Sequence, residues 1–233
     1  MQPFMRRLPA LALLLTPVLL LAAACGPAPI TAAPEGPLFS PAAAAGAPPI
    51  KHGLWLADGP DCKVDAAESA YDWPACSRWF VIRDGERQTF APSSGDRKVG
   101  TWLRERIVVA AGEPRIIQSA GTTAQGETVI GYLAMSPIAF DPNNGPITSL
   151  QTWTIDCTPP TKQDLRNHWL HEHPDKAGES LAQKPEPEPE ELVTYPGYDP
   201  QCHPRTKEAV RGAATGSRTL AVRTVYRWVR DNP

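Results

Sequence analysis

The densest group of potential metal ligands lies in one short polar segment, residues 168–173, which reads His-Trp-Leu-His-Glu-His. In a helix, His168, His171 and Glu172 would share one face, because residues three and four positions apart are neighbours there. Imidazole and carboxylate groups on one face form part of a zinc or copper site. A proline ends the segment and no complete ligand set is evident. We therefore predict no structural metal and keep His168, His171 and His173 as candidate ligands.

Motifs for covalent or cofactor-dependent catalysis are not evident in the sequence. It has no Gly-x-Ser-x-Gly element and no glycine-rich phosphate loop, so it indicates no cofactor and no catalytic residue. Two pairs of acids lie in loop-like segments, Asp58 with Asp61 and Glu68 with Asp72. A glycosidase needs two carboxyl groups on opposite sides of a sugar. A hydrolase of envelope glycans or lipids that uses such a pair therefore remains an alternative to a non-enzymatic protein.

The first 24 residues have the three parts of an export signal. Arg6 and Arg7 supply positive charge, residues 8–21 form an apolar run, and three alanines follow at positions 22–24. The run is interrupted by two prolines and is shorter than the roughly 20 apolar residues of a membrane span. We predict that residues 1–24 are removed as a signal peptide.

Cys25, directly after this signal, bears on where the protein is located. The run Leu-Ala-Ala-Ala-Cys at 21–25 resembles the lipobox of bacterial lipoproteins. The resemblance implies that Cys25 carries lipid (a palmitate-type acyl chain among them) and anchors the protein stably. Gly26, in place of an aspartate, favours the outer membrane, with the protein facing the periplasm.

The other four cysteines are even in number, which in an exported protein indicates two disulfides with three possible connectivities. We predict Cys62–Cys76 and Cys157–Cys202, each closing a loop between neighbours in sequence. Loops of these lengths would stabilise the fold by about 3 and about 4 kcal/mol in the chain-entropy model. A zinc site is the competing interpretation, but no two of these cysteines have C-x-x-C spacing.

Charge argues against nucleic acid as a partner. Loss of the signal removes two arginines and no acid, which changes the net charge from −2 to −4. Contacts to phosphates need clustered lysine and arginine, so a mildly acidic chain is a poor nucleic-acid binder.

The chain divides into a tether and one domain. Residues 25–50 are rich in proline and alanine and are expected to form a semi-extended tether. Residues 51–233 are expected to form a single β-rich domain, an antiparallel sandwich or barrel with one short C-terminal helix. Asp84-Gly85 between two β-rich runs predicts a hairpin. Expected strands occupy residues 53–56, 79–82, 87–90, 102–111, 115–118, 128–135, 147–155 and 220–229, and the expected helix includes residues 209–214.

A long polar insert, residues 158–201, interrupts this domain. It has a net charge of −5 and alternating proline and glutamate at 185–191, which favours an extended chain without a packed face. Residues 202–233 carry a net charge of +5. Their arginines are expected to keep one face of the last strand soluble, and the alternative is a surface that meets lipid phosphates or an acidic partner.

Two resemblances bear on function. Gly53-x-Trp55 at the start of the first expected strand resembles the N-terminal signature of lipocalins, which are barrels that carry small ligands. In that family an arginine of the last strands packs across the tryptophan, which implies this role for Arg223 or Arg227. The segments 53–76 and 202–211 resemble lipoproteins of bacterial envelopes, a class label that implies no chemistry.

Together these features predict a non-enzymatic, membrane-anchored lipoprotein of the cell envelope. Its partner would be the membrane, through the lipid, together with an envelope component such as a protein or glycan. A hydrolase and a lipocalin-like carrier are the alternatives.

Overall fold

The computed structural model describes residues 36–59, 61–93, 96–123, 126–143, 145–173, 175 and 194–233. The predicted signal at 1–24, the predicted lipidation site Cys25 and the proline-glutamate run at 185–191 lie outside the described residues.

Eight antiparallel strands form a closed barrel in which each strand pairs with its neighbours in sequence and the last strand pairs with the first. The strands are β1 Gly53–Ala57, β2 Trp79–Arg83, β3 Glu86–Ser93, β4 Asp96–Ala110, β5 Arg115–Thr122, β6 Thr128–Phe140, β7 Ile147–Thr154 and β8 Arg223–Arg230. Between β7 and β8 lie two helices, α1 Lys162–Glu172 and α2 Lys207–Ser217. The predicted mainly-β, barrel-like fold is confirmed, and α1 adds a helix within the insert.

The predicted hairpin joins β2 to β3. Asp84 and Gly85 have φ angles of 53° and 75°, the left-handed conformation that a two-residue turn with this twist requires at both positions. The turn fixes the register, so that Ile82 lies opposite Arg87. Side chains of directly opposed residues point to the same side of a sheet. Ile82 and Arg87 therefore share one face of the barrel wall.

The inner face is identified by a cluster that joins residues from opposite walls. Buried Trp55, Ile82, Met135 and Leu150 pack together with side chains of β4, β5 and β8. Seven strands contribute to this one cluster, which only the lumen of a closed barrel allows. An eight-stranded barrel is just wide enough for side chains to fill it or for one small ligand.

The outer face of β4 to β7 is covered by α2. Ala209, Val210, Ala213 and Ala214 of this helix are buried against the outer side chains of the barrel, among them Trp153. The apolar stripe expected in the sequence at 209–214 is thus the packing face of α2. It also explains why β6 has few exposed residues in its middle: one face lines the lumen and the other lies in this covered cluster.

Contacts with the barrel begin well before Lys51, where the strand pattern starts. Phe39 is 1% exposed, and its backbone N–H and C=O pair with the side-chain amide of Gln118 at 2.9 and 2.8 Å. A 3-10 turn at Pro41–Ala44 follows, and Ile50 bridges to Ile147. Residues 36–50 therefore lie on the barrel, because Phe39 and Ile50 give this proline- and alanine-rich segment apolar groups to bury.

The insert leaves and rejoins the barrel at one point. Helix α1 begins with a capping box between Thr161 and Asp164 and has no buried residue. At the end of the insert, the backbone N–H of Tyr195 donates to the carbonyl of Cys157. Tyr198 is buried, with 8% of its surface exposed. Burial raises the pKa of Tyr198 well above its ordinary value. The end of the insert is thus part of the core, unlike α1.

Both predicted disulfides are present. Cys62 and Cys76 close the loop between β1 and β2, with Cα atoms 5.7 Å apart. Cys157 and Cys202 join the two ends of the insert, with Cα atoms 5.4 Å apart.

Candidate functional site at the mouth of the barrel

The two ends of the barrel differ in how they are closed. At one end the strands are joined by short connections, and Lys51 forms an ion pair with Asp141 at 3.0 Å. The ammonium group of Lys51 also lies 3.8 Å from the ring centroid of Trp228. At the other end, which we call the mouth, the connections include the stapled loop at 58–78 and the long excursion at 155–222. Chemistry that needs access to the lumen is therefore confined to the mouth.

The lumen is filled with apolar side chains near the closed end. Trp55 and Met135 are fully buried there. The ring of Trp55 stacks on Phe80 with the planes 5° apart and the centroids 6.3 Å apart. Phe80 in turn meets Tyr226 edge to face at 5.1 Å. This packing forms an apolar floor in the lumen.

An ion pair lies on the same inner face, where Arg87 is opposite Ile82 of this apolar cluster. Arg87 of β3 and Glu105 of β4 are opposed in register, and the guanidinium Nη2 donates to the carboxylate Oε2 at 2.7 Å. Their side chains are 36% and 32% exposed, so the pair is accessible from the mouth. The Nε–H of Arg87 is enclosed and has no partner among the described residues. A guanidinium has five N–H donors, and this contact engages one of its nitrogens.

The β3–β4 hairpin continues beyond the barrel wall as a two-stranded ribbon. β2 pairs with β3 only as far as Gln88, and β5 pairs with β4 only from Arg106 onward. The inner face of the mouth beyond this point carries exposed apolar side chains: Val99 and Leu103 are 58% and 54% exposed, and Val129 of β6 is 38% exposed. Among the described residues, the inner face of the rim thus carries three exposed apolar side chains.

A cavity of about 420 Å³ opens where β2 and β3 diverge. Inner-face residues Phe80, Arg87, Thr89 and Tyr226 form one side of it. The other side is formed by outer-face aromatics and by the stapled loop: Ala70, Tyr71, Ala75, Ser77, Arg78, Trp79, Phe90 and Pro92. Both charged groups among the described lining residues are arginines, and none of these residues is an acid.

The stapled loop is held against the barrel by its own anchors. Trp73 is fully buried, and its Nε1–H donates to the carbonyl of Asp65 at 2.8 Å. The guanidinium of Arg230 donates to the carbonyls of Ala66 and Glu68. These contacts fix Tyr71, whose ring meets Phe90 edge to face at 5.0 Å. The aromatic wall of the cavity is thus pre-formed by packing.

The lining suits binding better than catalysis. Ser77 is a lining hydroxyl, and it donates to the carbonyl of Pro74 at 2.7 Å. The acids considered for a hydrolase lie elsewhere: Asp58 is paired with Arg227 at 2.9 Å and Asp72 with Lys98 at 2.7 Å. No nucleophile paired with a general base is found among the described lining residues.

The histidine cluster lies on α1. His168 Nε2 is 3.4 Å from Glu172 Oε1, which matches the shared helical face expected from the sequence. The ring of His173 instead stacks on Trp169 at 4.8 Å. Across the described ranges, the structure has no group of three or more His, Cys, Asp or Glu side chains arranged to hold a metal.

The prediction that Arg223 or Arg227 packs across Trp55, as in lipocalins, is wrong for both arginines. Arg223 and Arg227 alternate with the inner-face residues of β8 and therefore point outward. Arg227 pairs with Asp58, and Arg223 donates to the carbonyl of Arg218 at 2.9 Å. Trp55 faces the lumen, where Phe80 covers its ring.

No protein-family model, curated protein or solved structure matches the chain. Among the described residues, neither helix has the length and apolar character that a membrane crossing demands.

Proposed function

We propose that the protein is a non-catalytic binding module whose mouth holds one small amphipathic molecule of the cell envelope. One observation carries this proposal. A closed eight-stranded barrel with a packed apolar lumen has an open cavity that reaches an ion pair about one-third exposed, and exposed apolar side chains lie on the rim beside this cavity. Within the binding class expected from the sequence, this favours a small molecule over a flat protein surface.

Size and surface both support a small ligand. Ligand cavities are typically about 300–1,000 Å³, and the cavity of about 420 Å³ is near the lower end of this range. Exposed Leu103 lies opposite Thr89, which lines the cavity, so a ligand in the cavity can extend along the apolar rim. Burial of this rim would stabilise the complex by about 25 cal/mol per Å² of apolar surface.

The test uses N-phenyl-1-naphthylamine, an uncharged apolar fluorophore. We expect saturable binding at one site per chain and at least a tenfold loss of affinity in Leu103→Asp. A charge at the rim must be desolvated when an apolar ligand covers it.

Ile138→Asp is the matched control, because Ile138 and Leu103 are both 54% exposed. Ile138 lies in the part of β6 that approaches the closed end of the barrel. Equal loss in both variants, or no saturable binding to the wild type, would contradict the proposal.

We also propose that this module is anchored in the envelope through lipid on Cys25, probed by labelling cells with an alkyne fatty acid. The signal-like segment at 1–24 and the lipobox-like run at 21–25 support this assignment. We expect the wild type to be labelled and Cys25→Ala to be unlabelled. Equal labelling of the two proteins would rule out Cys25 as the lipid attachment site.

A further inference from the structure

We infer that the cavity between β2 and β3 recognises the anionic end of its ligand, a carboxylate or phosphate on an apolar body, and that Glu105 competes with this group for Arg87. The inference rests on the proposed function and adds the chemical class of the ligand. It is drawn from the charge and hydrogen bonding of the cavity wall.

The described cavity wall carries an excess of positive charge. Arg78 and Arg87 line the cavity, and the one acid bonded to either of them among the described residues is Glu105. Two guanidinium groups and one carboxylate leave one positive charge in excess. A half-enclosed site has a lower effective dielectric than bulk water, so this charge attracts an anion more strongly than a surface arginine would.

The guanidinium of Arg87 is under-used in the unliganded protein. Among the described residues it donates one hydrogen bond, from Nη2 to an oxygen of Glu105 at 2.7 Å. Arginine binds carboxylates and phosphates best in the two-pronged geometry, which adds both energy and orientation. A ligand oxyanion approaching from the cavity can use Nη1, which has no hydrogen bond to a described residue, and share Nη2 with Glu105 or displace it.

The remaining wall accounts for the apolar body. Trp79, Phe80, Phe90 and Tyr226 surround the cavity, and the Trp79 and Phe90 rings are stacked at 6.3 Å. This arrangement is kept although β2 and β3 are no longer hydrogen-bonded at that level. Aromatic rings whose positions are already fixed by packing offer contact area to a ligand at low entropic cost. The cavity thus combines an apolar slot with a cationic end.

The experiment is displacement of N-phenyl-1-naphthylamine by four compounds with the same twelve-carbon chain. They are dodecanoate, dodecyl phosphate, dodecanol and dodecylammonium. We expect the two anions to bind the wild type at least tenfold more tightly than dodecanol, and dodecylammonium to bind most weakly. The ratio between dodecanoate and dodecyl phosphate identifies which oxyanion the site prefers.

Two substitutions are expected to act in opposite directions. Arg87→Met should remove most of the preference for anions, whereas Glu105→Gln should strengthen anion binding about tenfold because it frees the guanidinium. A purely structural ion pair would instead weaken binding of all compounds in both variants. In the double variant Arg87→Met/Glu105→Gln, the anion preference should stay lost, which separates loss of Arg87 from repulsion by an unpaired Glu105.

Arg104→Met is the matched control. Arg104 lies on the same ribbon, but it is opposite Gln88 on the outer face and should leave all four affinities unchanged. Equal affinity for dodecanoate and dodecanol, or weaker anion binding in Glu105→Gln, would overturn the inference. If the neutral probe still binds in that case, the binding module stands and only its ligand class is wrong.

Discussion

Replacement of Trp153 by alanine is expected to lower the free energy of unfolding by about 3–5 kcal/mol. Trp153 is 1% exposed on the outer face of β7, and its Nε1–H donates to the carbonyl of Ala214 at 2.9 Å. The substitution leaves a cavity between α2 and the barrel and a buried carbonyl without its donor. A loss of this size is a large part of the 5–15 kcal/mol typical of a folded domain.

The measurement is the midpoint and slope of chemical denaturation. Trp169→Ala is the matched control, because Trp169 is 48% exposed on α1 and should change stability by less than about 0.5 kcal/mol. Similar effects at the two positions would show that α2 does not pack on the barrel through Trp153.

The second large effect is expected from Gly53→Ala. Gly53 has a φ of 121°, a backbone angle that residues other than glycine rarely adopt. An added Cβ would clash with the carbonyl oxygen of Arg230 and would lie 2.7 Å from Nε1 of Trp228. Backbone strain and overpacking each cost about 1–3 kcal/mol, so we expect a total loss of about 2–6 kcal/mol. The unfolding midpoint in urea measures it.

Gly212→Ala provides a control of opposite sign. Gly212 lies in α2, where an added Cβ would have nothing within 4 Å. Alanine is favoured over glycine in a helix by about 0.5–1 kcal/mol, so this variant should be slightly more stable than the wild type. If Gly53→Ala is as stable as the wild type, β1 does not approach β8 this closely.

The strands could be predicted from the sequence because their signals are local. Alternation at 102–111 and the Asp84-Gly85 turn depend on neighbouring residues only, and the structure has strands and a turn there. The closure of the barrel could not be predicted in this way. A sandwich and a barrel share the same two-residue period, and what separates them is pairing between Trp55 and Trp228, far apart in sequence.

The start of the domain, at residues 36–50 on the outer face of the barrel, could not be predicted from the sequence either. The sequence pattern starts the domain at Lys51 because the preceding residues have the composition of a linker. Phe39 and Ile50 are the buried apolar residues at 36–50, and their partners Gln118 and Ile147 lie in β5 and β7. Two isolated anchors whose partners are distant in sequence leave no periodic signal.

The candidate site was visible only in part. Arg87 and Thr89 alternate along β3, and this spacing already places them on one face. The register of the ribbon places Glu105 opposite Arg87, and this register shifts near the hairpin tip between Pro92 and Ser93, which the strand pattern alone does not reveal. The cavity opens where β2 and β3 diverge, and the stapled loop that forms its other side is held by contacts between residues far apart in sequence.

Barrel closure also determines when this chain can fold. β1 at 53–57 completes its hydrogen bonds only with β8 at 223–230, so a nascent chain keeps that edge open until its last strand has been synthesised. Pairing between such distant segments is slow, and an open edge recruits other strands while it waits. A ribosome that stalls before Arg223 would release a chain with two unpaired edges, β1 and β7. Closure of the barrel therefore requires an intact β8.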